Sequence, residues 1–176
     1  MHKKTILLVS LLALTLFSIP ALAAKPANKP AATNGLAKGA NDHLYLFEKD
    51  EGSWEIIEDG AWAKMNINLK QWKFVFNGHG VDPGDYKLIC YVDPWPGEGS
   101  KVLGNGTADE NGNIHIKGPI NYTELHDINP EDYNGSKIWL VPAADFDETQ
   151  QKMVAWNATQ ILFEFDLLHT RPVEES

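Results

Sequence analysis

Few residues in this chain are spaced for chemistry, and the densest group lies between Asn77 and Gly97. His79 stands between Gly78 and Gly80, with Asp82 and Asp85 just beyond it, so a Gly-rich corner presents an imidazole near two carboxylates. Trp95 is held between Pro94 and Pro96, and Trp62 falls on the polar side of an alternating stretch. Rigid exposed aromatics on a β-domain stack on sugar rings or peptide side chains at small entropic cost. The competing account is that these tryptophans cover the ends of the core and that His79 is a turn residue with no role. Trp62, Trp95 and His79 are the candidate ligand-binding residues.

Metal chemistry has a weaker signal. His43, His115, His126 and His169 are scattered like His79, without an H-x-x-x-H or H-E-x-x-H pair. The run Asp109-Glu-Asn-Gly-Asn113 resembles the start of a calcium loop, but Ile114 and Ile120 stand where such a loop needs Gly and a bidentate Glu. Asp109, Asn111 and Asn113 therefore remain candidates for a nonstandard Ca²⁺ site, against the alternative of solvated turn side chains. No other cofactor is implied. Four N-x-[ST] sequons, at Asn105, Asn121, Asn134 and Asn157, fall in or beside expected turns and are glycosylation candidates. There is no G-x-S-x-G elbow, phosphate-binding loop or dinucleotide fingerprint. A carboxylate pair for glycoside hydrolysis stays open, because its spacing is set only in three dimensions. The leading reading is a non-enzymatic binding or envelope module. A Ca²⁺-stabilised structural domain and a carboxylate-pair hydrolase are the alternatives.

The elements that must position these residues follow a targeting signal. His2, Lys3 and Lys4 precede an uncharged apolar run, Pro20 breaks it, and Ala21-Leu-Ala23 is an Ala-x-Ala cleavage site. Residues 1–23 are expected to be a signal peptide and 24–42 a flexible tether rich in Ala, Pro, Lys and Asn. Residues 43–168 form one domain, and 169–176 a polar tail. This places the protein outside the cell or on its surface, with no stable membrane span after cleavage. The domain carries 21 acidic and 9 basic residues, a net of −12. That balance repels polyphosphate and disfavours nucleic acid. The partner is left as a cell-surface glycan or an envelope protein. Cys90 is the only cysteine, so the domain must fold without an internal disulfide.

Short alternating runs separated by Gly, Pro, Asn and Asp turns predict an all-β protein, a single immunoglobulin-like antiparallel β-sandwich. Ala61 to Leu69 alternates with Trp62, Lys64, Asn66 and Asn68 outward. Residues 54–58 are expected to return as a hairpin strand against 43–48. Tyr86 to Val92 is apolar on both faces beyond Lys87, which predicts a strand covered on both sides. Tyr86 itself follows the Asp82-Pro-Gly-Asp corner where immunoglobulin-like sandwiches place an anchoring tyrosine.

Several segments together resemble a group of small exported proteins of unassigned function associated with methanogenic archaea. They are Leu44-Tyr-Leu-Phe-Glu-Lys-Asp50, Glu58-Asp-Gly-Ala-Trp62 with Lys64-Met65, Phe74-Val-Phe-Asn-Gly-His-Gly80, Asp93-Pro-Trp-Pro-Gly97, Lys137-Ile-Trp-Leu-Val141 and Leu162-Phe-Glu-Phe-Asp-Leu167. The resemblance spans nearly the whole folded block and implies one family domain. It implies no activity, substrate or catalytic residue.

Overall fold

The computed structural model describes residues 41–68, 70–121, 125 and 136–168. The expected signal peptide, nearly all of the tether, the tail, and the candidates Asn134, His126 and His169 lie outside the described residues. The chain is all-β. Its strands are β1 (Asn41–Glu48), β2 (Trp62–Asn68), β3 (Lys73–His79), β4 (Gly84–Tyr91), β5 (Lys101–Ala108), β6 (Ile114–Pro119), β7 (Lys137–Pro142), β8 (Phe146–Asp147), β9 (Lys152–Met153) and β10 (Leu162–Glu164). Eight of them form one sheet in the order β5-β4-β7-β10-β1-β2-β3-β6, and β8 pairs with β9. Every pairing is antiparallel.

The sheet curls until its two end strands meet. Gly104 and Gly106 of β5 face β6 so closely that a Cβ on either would lie 2.7 Å from Ile116. The result is a nearly closed, barrel-like sheet. The all-β expectation holds, but the eight longer strands share one hydrogen-bonded sheet, whereas an immunoglobulin-like sandwich divides its strands between two. The seam makes a prediction. Gly104→Ala should cost about 1–3 kcal/mol through overpacking against Ile116, read by urea unfolding.

Alternation along the strands sorts the side chains. Ala63, Met65 and Ile67 of β2, Phe74 and Phe76 of β3, and Leu44 and Leu46 of β1 point inward with Leu88, Cys90, Ile138, Leu140 and Leu162. Cys90 is fully buried there. A second apolar cluster lies outside the barrel. Ile89, Tyr91, Trp139, Val141 and Phe163 project from β4, β7 and β10, and Phe146, Met153, Ala158 and Ile161 cover them. The chain between β7 and β10 therefore forms an outer cover, which is why β4 is apolar on both faces as expected. Burying each large side chain is worth about 1.5–3 kcal/mol, so both layers matter to the fold.

Residues 54–58 differ from expectation. They do not form a strand; only an isolated bridge, Lys49 to Ile56, links them to the end of β1. β1 already pairs with β2 on one edge and β10 on the other, so residues 54–58 find no free edge beyond Lys49; the turn before them is held by the Asp50 carboxylate, which accepts the N–H groups of Gly52 and Ser53 and the Ser53 hydroxyl. Trp54 leaves that turn at φ 60°. Among the described residues, no helix is long and apolar enough to cross a membrane.

Candidate functional site

Three separate loops bring three tryptophans together on the outer face. Trp156, from the segment before β10, is central. Trp95 meets it edge-on at 5.3 Å between ring centroids, and Trp54 lies 6.0 Å from it with its ring tilted. Trp54 is 51 % and Trp95 48 % exposed, against a barrel whose other aromatics are mostly buried. Their floor is the outer apolar cluster. Trp139 and Phe163 pack at 5.1 Å, Phe163 contacts Trp54 at 5.3 Å, and Tyr91 stacks on Trp139 at 3.7 Å. Trp156 is oriented by its indole N–H, which donates to Glu51 Oε1 at 3.2 Å.

The loop carrying Trp95 is pinned along its length. Its bonds to Pro94 and Pro96 are Asp93–Pro94 and Trp95–Pro96, both cis. Gly97 N–H donates to the Pro94 carbonyl, Met153 N–H to the Pro96 carbonyl, and Gly99 N–H to the Gln151 carbonyl. The buried Ser100 hydroxyl donates to the Gly97 carbonyl at 2.7 Å and accepts the Val92 N–H at 3.0 Å. Gly97 sits at φ 79°, and a Cβ there would overlap the Tyr91 ring, 2.9 Å from Cδ2 and nearer still to Cε2. Asp93 at the loop's start pairs with Lys137 of β7.

A half-buried acid, Glu164, lies beside this floor with its Oε2 enclosed. Burial pushes Glu164 up to about 7, opposed by its own N–H, by Lys49 and Lys137, and by the Trp139 indole. The indole approaches the carboxyl without completing a hydrogen bond, and both Trp139 Nε1 and Glu164 Oε2 are buried without a partner. Lys49 donates instead to the Glu164 carbonyl at 2.9 Å, and burial lowers the Lys49 ammonium below its usual range.

The sequence candidates fall into two groups. Trp95 belongs to the tryptophan cluster. Trp62 and His79 are elsewhere, directly opposed on β2 and β3 with ring centroids 4.7 Å apart. Asn113 joins them, since His79 Nδ1–H donates to its Oδ1 at 3.1 Å. Asp109 Oδ1 accepts the N–H groups of Asn111 and Asn113, both at 2.9 Å, and the Asn113 amide at 3.5 Å. Those bonds, the Asn113 N–H first, hold the Asp109 carboxyl below the usual carboxylate range. Asp109, Asn111 and Asn113 thus build the β5–β6 turn and aim Asn113 at His79.

Asn105 lies in the middle of β5, not in or beside a turn, because the two glycines flanking it fit the seam against β6. Asn121 is exposed. Asn157 donates its amide to the buried Asp145 at 2.7 Å. A cleft of about 650 Å³ lies between His43, Asn66, Lys73, Phe74, Lys117 and Pro119, and its described lining includes no Asp or Glu. Glu48 and Asp82 share a cavity of only about 20 Å³, room for about one water and not a sugar ring.

Trp54 and Trp156 are the site residues that sequence reasoning missed. Their convergence depends on the turn at Asp50 and on the outer cover, neither of which has a periodic signal.

The fold and site together define a nearly closed antiparallel all-β domain with a tryptophan cluster set on its outer face. No protein-family model, curated protein or solved structure matches the chain.

Proposed function

We propose that the protein is an exported, non-enzymatic binding module that engages cell-surface glycan through Trp54, Trp95 and Trp156. The observation that carries this reading is the convergence of two half-exposed tryptophans on a third, each from a different loop. Indole faces stack on the C–H faces of sugar rings, and pinned loops lose little entropy when they bind. The pinned loop at 92–100 supports the same role for Trp95. Charged groups lie next to the cluster in the chain and in space: Glu51 accepts the Trp156 indole N–H, and Asp93, two residues before Trp95, pairs with Lys137. The export signal read from residues 1–23 and the acidic, cysteine-poor composition suit a surface protein.

Binding to a panel of cell-wall and capsular polysaccharides by affinity electrophoresis tests it. Trp95→Ala and Trp54→Ala should each weaken binding by about 1–2 kcal/mol, roughly five- to thirtyfold, while the variants unfold like the wild type. Capture of an envelope protein without any polysaccharide would replace the glycan reading. Unchanged affinity in both variants would remove the site.

A further inference from the structure

We propose that the cleft on the outer face of β2, β3 and β6 binds a soluble organic carboxylate with an apolar body, held by Lys73 and Lys117. The ladders build its walls. Asn66, Val75 and Lys117 stand in one row across the three strands, and Asn68, Lys73 and Pro119 stand in the next. Ile67, Phe74 and Ile116 alternate with them and point into the barrel, so both rows face outward. The resulting cleft of about 650 Å³ is within the ~300–1,000 Å³ that small-molecule sites occupy.

Charge sets the class of ligand. The chain is −9 overall, yet β2, β3 and β6 contain no Asp or Glu at any position. Lys87 and Lys137 elsewhere pair with Glu148 and Asp93, whereas among the described residues Lys73 and Lys117 have no carboxylate partner. The two are diagonal neighbours on β3 and β6, about 7–8 Å apart at the backbone, and both line the cleft. Their flexible stems let both ammonium groups meet one anionic group there. Asn68 adds a donor. Its Oδ1 accepts the N–H groups of Lys70 and Gln71, both at 3.0 Å, so its amide N–H groups are the end left to bond a ligand. Much of the remaining wall is apolar, with Ile67, Phe74, Pro119 and the 40 % exposed Val75 among its residues. A bare inorganic anion would leave that apolar surface wet, and a neutral apolar molecule would leave two ammonium groups unanswered. A carboxylate on an apolar body satisfies both.

Titration calorimetry of the tag-free chain with naphthoate and with decanoate tests the proposal, alongside ¹H–¹⁵N spectra that map the site. One equivalent of one or both should bind and move the amide resonances of Asn66, Val75 and Lys117. Naphthalenemethanol carries only the body and inorganic phosphate only the charge, and each should bind about tenfold more weakly or worse. Lys73→Gln and Lys117→Gln should each weaken carboxylate binding about fivefold or more, and the double variant should abolish it. Val75→Glu should abolish it too, because it sets a carboxylate opposite Lys117 at an exposed position, with the fold checked by the thermal midpoint. Trp95→Ala should leave it unchanged, which separates this site from the tryptophan cluster. No carboxylate bound by the wild type, equal affinity for the alcohol or for phosphate, or wild-type affinity in the double Gln variant would overturn it. Retention on phosphatidylglycerol vesicles without carboxylate binding would give the face to a membrane and overturn it as well.

Discussion

At pH 8 a Glu164→Gln variant should be more stable than the wild type, by about 3 kcal/mol at most. The folded carboxyl titrates near 7 against an ordinary value of 4.5, first because it is buried. The folded state therefore holds this proton more tightly than the unfolded state does. Below pH 4.5 both states are protonated and Glu164 imposes no penalty. As pH rises from 4.5 to 7 the wild type loses stability, and above 7 the full cost of ionising this desolvated carboxyl is present. Glutamine keeps the shape and removes the charge, so its curve should be flatter across that window. Urea unfolding at pH 4, 6 and 8 reads the difference. Equal stability of the two proteins at pH 8 would mean that Lys49 and Lys137 fully compensate the charge.

Gly97→Ala should cost about 2–4 kcal/mol and also abolish the glycan binding proposed above. The backbone there is left-handed, and the added methyl would enter the Tyr91 ring. Tyr91 has no room to yield, since it is buried and stacked on Trp139. The loop must move instead, taking Trp95 away from Trp156. This pairs with the Trp95→Ala result expected above. One variant loses binding with the fold intact, the other loses binding because the loop is displaced. Denaturant unfolding and near-ultraviolet circular dichroism separate the two.

Much of the fold was legible in the sequence because burial on one face writes itself as a period of two. Ala63, Met65 and Ile67 alternate with Trp62, Lys64 and Asn66, and β2 follows them. The two-sided burial of β4 was equally plain from Ile89 and Tyr91. Strand order was not, since alternation says which face a side chain takes and nothing about which strand lies beside it. Trp54 was misplaced because both edges of β1 are taken, by β2 and by β10, and a local pattern does not show that. Among the site residues, Trp95 was marked by its flanking prolines. Trp156 had no such mark, and Glu164 resembled an ordinary polar position in a strand. The link between Asp109, Asn113 and His79 joins two stretches that were read as separate, one as a metal loop and one as a corner. Only the β3–β6 register brings them together.

The position of β10 in the sheet has a kinetic consequence. Among the described residues, its three residues are the hydrogen-bonded link in the ladder order between the group β5-β4-β7 and the group β1-β2-β3-β6. It comes late in the chain and pairs back to the first strand, and Lys49 meets the Glu164 carbonyl across 115 positions. The β5–β6 turn already tethers the two groups at the seam, but the sheet cannot be completed on its other side until Leu162–Glu164 arrive. Loop closure over that distance must be paid before any contact rewards it, and such topologies fold in milliseconds to seconds rather than microseconds. Until then both groups carry an open edge, so the last strand to be made is the one that ends the interval in which the chain is vulnerable to aggregation.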